Sequence, residues 1–166
     1  MRKIIRTMSF LSTTGACLVV LTTALALAAD KTPVPRFASL KPNEVNARVG
    51  PGPNYPVEWI YLKAGLPIEV IAEFDTWRKI RDKDGAEGWV HQSMLSAKRH
   101  AIIQEGEAIM YADESTTSQP LVRLQEGVVV DLQKCREDAC QVRIFDFKGW
   151  IPRSSLWGLY PQEKIG

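Results

Sequence analysis

The chain has 166 residues, 45% of them hydrophobic and 24% charged, with 21 Lys and Arg against 19 Asp and Glu for a formal charge of +2. It carries no Lys/Arg stripe of the kind that tracks a phosphate backbone, which argues against nucleic acid as a partner. Beyond the N-terminal thirty or so residues, no apolar stretch is long enough to span a bilayer.

In chain order, the first element is a leader. Arg2, Lys3 and Arg6 precede a run from Phe10 to Ala28 that is mostly apolar and small, and Ala26-Leu27-Ala28 forms a small–x–small cleavage site. This pattern predicts a secretory signal peptide over 1–28, cleaved after Ala28. An uncleaved anchor helix competes with it, because the run is nearly long enough to cross a membrane. Lipid attachment at Cys17 is a third reading, disfavoured because the apolar run mostly follows that cysteine. The leader carries three basic residues and no acidic ones, so its removal takes the formal charge from +2 to −1. Export would leave the product in the periplasm or outside the cell.

An extended lead-in over 29–37, with Pro33 and Pro35, precedes a first unit over 38–98. There, Leu66–Ile71 reads as a β-branched strand, Trp77–Arg81 as a strand with Ile80 inward, Asp82–Gly85 as a turn and Gly88–Val90 as a further strand. His91–Leu95 reads as one helical turn closing the unit. A second unit over 99–160 repeats the pattern, with a strand at Val128–Leu132, Gly149-Trp150 and a closing turn at Pro152–Leu156. A tail over 161–166 follows. No stretch shows a sustained helical period. Short strands separated by Gly, Pro and Asp turns predict a small barrel or sandwich.

The two units are copies. Shifted by 62 positions, 59–81 lies over 121–143 without a gap. Leu62 falls on Leu124, Gly65 on Gly127, Ile68 on Val130, Val70 on Leu132 and Ile80 on Val142. After a one-residue deletion, Gly88-Trp89 meets Gly149-Trp150. A match this long marks an internal repeat. The expected cores are Leu62, Ile68, Val70, Ile80 and Val90 in one copy, and Leu124, Val130, Leu132, Val142 and Ile151 in the other. Units of about sixty residues are near the lower limit for an independent core, so two packed together with a disulfide are a plausible route to stability. Trp89 and Trp150 recur at one position and are read as packing residues.

Outside the leader there are two cysteines, Cys135 and Cys140. In an oxidising compartment, thiols flanking the hairpin tip Arg136-Glu137-Asp138-Ala139 are expected to pair. A metal site fails on ligand count, since His91 and His100 are the only histidines and lack ligand-like spacing to the cysteines. No cofactor or metal is implied.

Each unit resembles a bacterial SH3-like domain. The first carries Asn46-Ala47-Arg48-Val49-Gly50-Pro51-Gly52-Pro53, similar to the family's N-x-R-x-G-P start, then Gly65, Trp77–Arg81 and Gly88-Trp89-Val90. The second keeps Gly127, Val142-Arg143 and Gly149-Trp150-Ile151-Pro152 but departs at Ile109–Asp113. The resemblance implies an all-β fold of two tandem small SH3-like β-barrels after a cleaved signal peptide. It also implies envelope proteins that bind peptidoglycan or peptides.

Catalysis is not expected. Cys135 and Cys140 are better used on each other, and the Asp and Glu residues are scattered at turns and strand edges. Binding is the better reading. With Ile80 inward, Trp77 falls on the outer face of its strand and resembles the tryptophan that lines the peptide groove of eukaryotic SH3 domains. Tyr55, His91 and Arg48 are the other expected ligand-binding residues. The competing reading packs Trp77 or Tyr55 between the barrels. In the second copy, Ala139 stands where Trp77 does. Two functions stay open: a binding module for cell-wall peptidoglycan or an envelope peptide, and a structural or chaperone-like partner of another envelope protein that uses an apolar seam.

Overall fold

The structure is a computed structural model and describes residues 33–166; the expected leader lies outside the described residues. The first copy contains β1 (Arg36–Leu40), β2 (Val45–Arg48), β3 (Val57–Tyr61), β4 (Pro67–Phe74), β5 (Trp77–Arg81), β6 (Glu87–His91) and β7 (Leu95–Ser96). The second contains β8 (His100–Ile103), β9 (Glu107–Tyr111), β10 (Pro120–Gln125), β11 (Val129–Cys135), β12 (Ala139–Ile144), β13 (Phe147–Pro152) and β14 (Leu156–Trp157). Each copy forms one antiparallel seven-stranded sheet. The orders, β3-β2-β6-β5-β4-β1-β7 and β10-β9-β13-β12-β11-β8-β14, are the same topology. The fold is all-β, with two tandem SH3-like barrels. One turn of 3-10 helix closes each, at Gln92–Met94 and Arg153–Ser155, where the sequence predicts it.

Each barrel has its own core. Leu40, Val45, Ala47, Ile68, Val70, Ile80 and Val90 fill the first. Ile103, Met110, Leu124, Val130, Leu132, Val142 and Ile151 are among those that fill the second. A fully buried aliphatic side chain contributes roughly 1.5–3 kcal/mol. Of the expected core residues, Leu62 alone is misplaced: it is 73% exposed. The ladder gives the reason. Tyr61 pairs with Val45 on β2, and Leu124 pairs with Ala108 on β9. Tyr61, packed against the first core, is therefore the counterpart of Leu124. The first copy has one extra residue between Tyr61 and Gly65, and the gapless alignment is one position out before that glycine.

The repeated Gly-Trp has a geometric cause. Alternation along β6 and β13 turns the glycine inward and the tryptophan outward. A Cβ on Gly88 would lie 2.8 Å from the Ala47 Cβ, and one on Gly149 would lie 2.5 Å from the Tyr111 carbonyl oxygen. In each barrel the strands approach too closely for a side chain there. Trp89 and Trp150 belong to neither core, which corrects their reading as packing residues.

Cys135 and Cys140 face each other across β11 and β12 and are disulfide-bonded. The same rung of the first barrel holds Glu73 and Arg78, joined by an ion pair of 3.0 Å. The second copy thus replaces a salt bridge with a covalent link.

The barrels meet along a polar and aromatic seam. Phe37 packs edge-on against Trp157, with ring centroids 5.2 Å apart, and lies 4.8 Å from the Tyr160 ring. The Tyr160 hydroxyl donates to Glu69 at 2.8 Å. His100 joins Ser39 of the first barrel through Nδ1 (2.8 Å) and Asp131 of the second through Nε2 (2.9 Å). The tail is tied down as well, with Glu163 on Arg99 and the Cys135 amide donating to the Ile165 carbonyl.

Candidate functional site on the outer face of the first barrel

The outward positions of β5 and β6 are set by their register. Trp77 stands opposite His91, Lys79 opposite Trp89, and Arg81 opposite Glu87. On its other side, Trp89 faces Arg48 of β2. Since directly opposed residues share a face, these side chains form one surface across three strands.

At one end the Trp77 and His91 rings meet edge to face, with centroids 5.8 Å apart. His91 is itself oriented by Ser93, whose hydroxyl lies 2.7 Å from Nδ1. At the other end Lys79 and Arg81 converge on Glu87, at 2.6 and 2.8 Å. Hydrogen bonds from Lys79, then from Arg81, hold the Glu87 carboxyl below its ordinary pKa, so this part of the face stays ionised.

The loop between β2 and β3 forms the adjoining wall. Arg48 donates to the Tyr55 carbonyl at 2.7 Å. The Tyr55 ring folds back over Gly50 and Gly52; a Cβ on Gly50 would sit 2.4 Å from the ring. The ring leaves no room for a side chain at Gly50 and only a tight contact at Gly52. A depression of about 430 Å3 lies over the sheet and the β5–β6 turn, lined by Arg48, Glu58, Trp59, Lys79, Glu87 and Trp89 among others.

Trp77 is thus beside His91, and Arg48 beside Tyr55, with Trp89 between the two pairs. Among the described residues, the ring contacts across the seam are those of Phe37 with Trp157 and Tyr160, whereas the Trp77 ring meets His91 of its own barrel. Trp89 and Trp59 were not among the expected ligand-binding residues. Parity could have found Trp89, since Val90 is buried and its neighbour must point outward. In the second barrel the rung of Trp77 and His91 is occupied by Ala139 and Pro152. Ala139 is buried there, and Trp150 lies under the Arg136 guanidinium at 5.8 Å. Among the described residues no cluster of His, Cys, Asp or Glu could hold a metal ion, and no helix is long and apolar enough to cross a membrane.

A tandem pair of SH3-like barrels, the first with Trp77, His91 and Trp89 on its outer face, is the class that this fold and surface define. The bacterial SH3 domain family model matches residues 41–97 and again 104–158. The chain belongs to that family, in two copies. Bacterial SH3 domains are binding modules, and the disulfide fits an extracytoplasmic protein. Similar solved structures include NlpC2 from Trichomonas vaginalis (13% identity, 74% of this chain and 48% of that one, TM-score 0.34). NlpC1 from the same organism is 13% identical over 78% of this chain and 48% of that one, with TM-score 0.35. An NlpC/P60 family protein from Bacillus cereus ATCC 10987 is 12% identical over 73% of this chain and 55% of that one, with TM-score 0.34. The chain spans about half the length of these structures. No curated protein matches it.

Proposed function

We propose that this chain is a non-enzymatic binding module of the cell envelope, periplasmic or secreted, that recognises peptidoglycan or a peptide through the outer face of its first barrel. One observation carries the reading. Trp77, His91 and Trp89 share an outward face beside Arg48 and the Lys79–Glu87–Arg81 cluster. Such a face offers flat apolar surface for a sugar ring or side chain, with charged groups at its border to fix orientation. The second barrel lacks the Trp77–His91 pair and serves as a scaffold. Co-sedimentation of the exported protein with purified cell-wall sacculi tests the proposal. Saturable pelleting that Trp77→Ala weakens about thirtyfold, as loss of an anchor worth about 2 kcal/mol would, supports it. Sacculi that leave the unmodified protein in solution, together with no response to soluble wall peptides, refute it.

A further inference from the structure

A wider groove, of about 1030 Å3, lies elsewhere, where the two barrels meet. We infer that this groove is a second binding site, for an extended acidic polypeptide segment with apolar side chains.

The first observation is Phe145. It is 86% exposed and holds a left-handed backbone, with φ 48°. It is the first of two residues that turn β12 into β13, since Ile144 pairs with Phe147. Hairpins favour glycine or asparagine where φ is positive, and a bulky aromatic there is an outlier. Its ring belongs to neither core. The matching turn of the first barrel, Asp82–Ala86, meets the same demand with Gly85 at φ 87° and has no aromatic. Strain of this kind concentrates at functional sites. Phe147, half exposed, stands next to it, and both line the groove.

The second observation is charge. Asp131 is held by His100 and Lys98, Glu126 by Lys83, and Arg123 by Glu107. That leaves Lys63 of the first barrel and Arg143 of the second without a carboxylate partner among the described residues, both lining the groove. Two cations without carboxylate partners and an apolar aromatic surface are complementary to a ligand that carries carboxylates and apolar side chains on one backbone. A polypeptide supplies both. This surface is separate from the outer face of the first barrel, and the inference stands or falls independently of that reading.

The probe is a fluorescein-labelled decapeptide in which glutamates alternate with leucine and phenylalanine, titrated with the protein by anisotropy. It should bind, and its lysine-for-glutamate counterpart should bind at least tenfold more weakly. Phe145→Gly removes the strained side chain and should raise the melting temperature, yet weaken binding at least tenfold. Arg143→Ala should weaken it several-fold, while Trp77→Ala leaves it unchanged. The inference is overturned if the glutamate peptide fails to bind at millimolar protein. Equal affinity for the two peptides overturns it too, as does undiminished binding by Phe145→Gly. Loss of binding in Trp77→Ala instead would move the peptide to the outer face. Self-association that Phe145→Gly abolishes would make the groove a contact between copies.

Discussion

Replacing Gly88 by alanine puts the closure of the first barrel to a test of sign. If the site had room, the substitution would stabilise the protein by about 0.4–1 kcal/mol, because alanine restricts the unfolded chain. It has no room: the new Cβ would meet the Ala47 Cβ at 2.8 Å. Carbon atoms settle at about 3.5–4.0 Å, so β2 and β6 must part by roughly 0.7 Å. Overpacking of that kind costs about 1–3 kcal/mol. The neighbour is a single methyl group, so Ala47→Gly in the same chain should recover most of the loss. Gly149→Ala should be worse and lack such a remedy, because the nearest atom is the backbone oxygen of Tyr111 at 2.5 Å. Urea unfolding followed by tryptophan fluorescence, with the two single changes and the double, gives the coupling energy. A more stable Gly88→Ala protein, or a double variant no better than the sum of its parts, would refute the account of the Gly-Trp motif.

Three further outcomes follow from the packing. Leu124→Ala should cost about 2–5 kcal/mol while Leu62→Ala stays within about 0.5 kcal/mol; comparable losses in urea unfolding would contradict the register. Burial keeps the His100 pKa below its usual 6.5, with Asp131 drawing it up and Lys98 pushing it down. The unfolded chain then takes up that proton first, so stability should be complete above about pH 6.5 and fall as the pH drops below it. His100→Gln should flatten melting temperature between pH 7.5 and 5.5, and an unchanged slope would remove His100 as the cause. Thiol labelling of unreduced protein should find neither Cys135 nor Cys140, and reduction should cost about 2 kcal/mol or less; labelling of both before reduction would refute the bond.

The repeat, the strand parity and the closing turns were legible because both copies bury the same aliphatic positions, and a core is written in alternation. Ile80 over Val142 is the clearest case. Leu62 was misread because similarity on both sides of a one-residue insertion looks like a continuous match; only the pairing of Tyr61 with Val45 reveals the slip. Recurrence of Trp89 and Trp150 at one position suggests packing, but both side chains stay outside the cores. What recurs for a packing reason is the glycine beside each. The roles of His100, Ser39 and Glu69 depend on how two barrels approach, and no local pattern encodes that. Phe145 looks ordinary in sequence; its exposure combined with a left-handed backbone is visible only in the structure.

The central claim is that the outer face of the first barrel is the contact surface for a cell-wall ligand. The most direct measurement follows the indole N–H resonances of the five tryptophans, Trp59, Trp77, Trp89, Trp150 and Trp157, by NMR while soluble peptidoglycan fragments are added. Trp77 and Trp89 should shift and saturate together, with Trp150 and Trp157 unmoved. Saturable shifts at Trp150 or Trp157, with Trp77 and Trp89 silent, would contradict it.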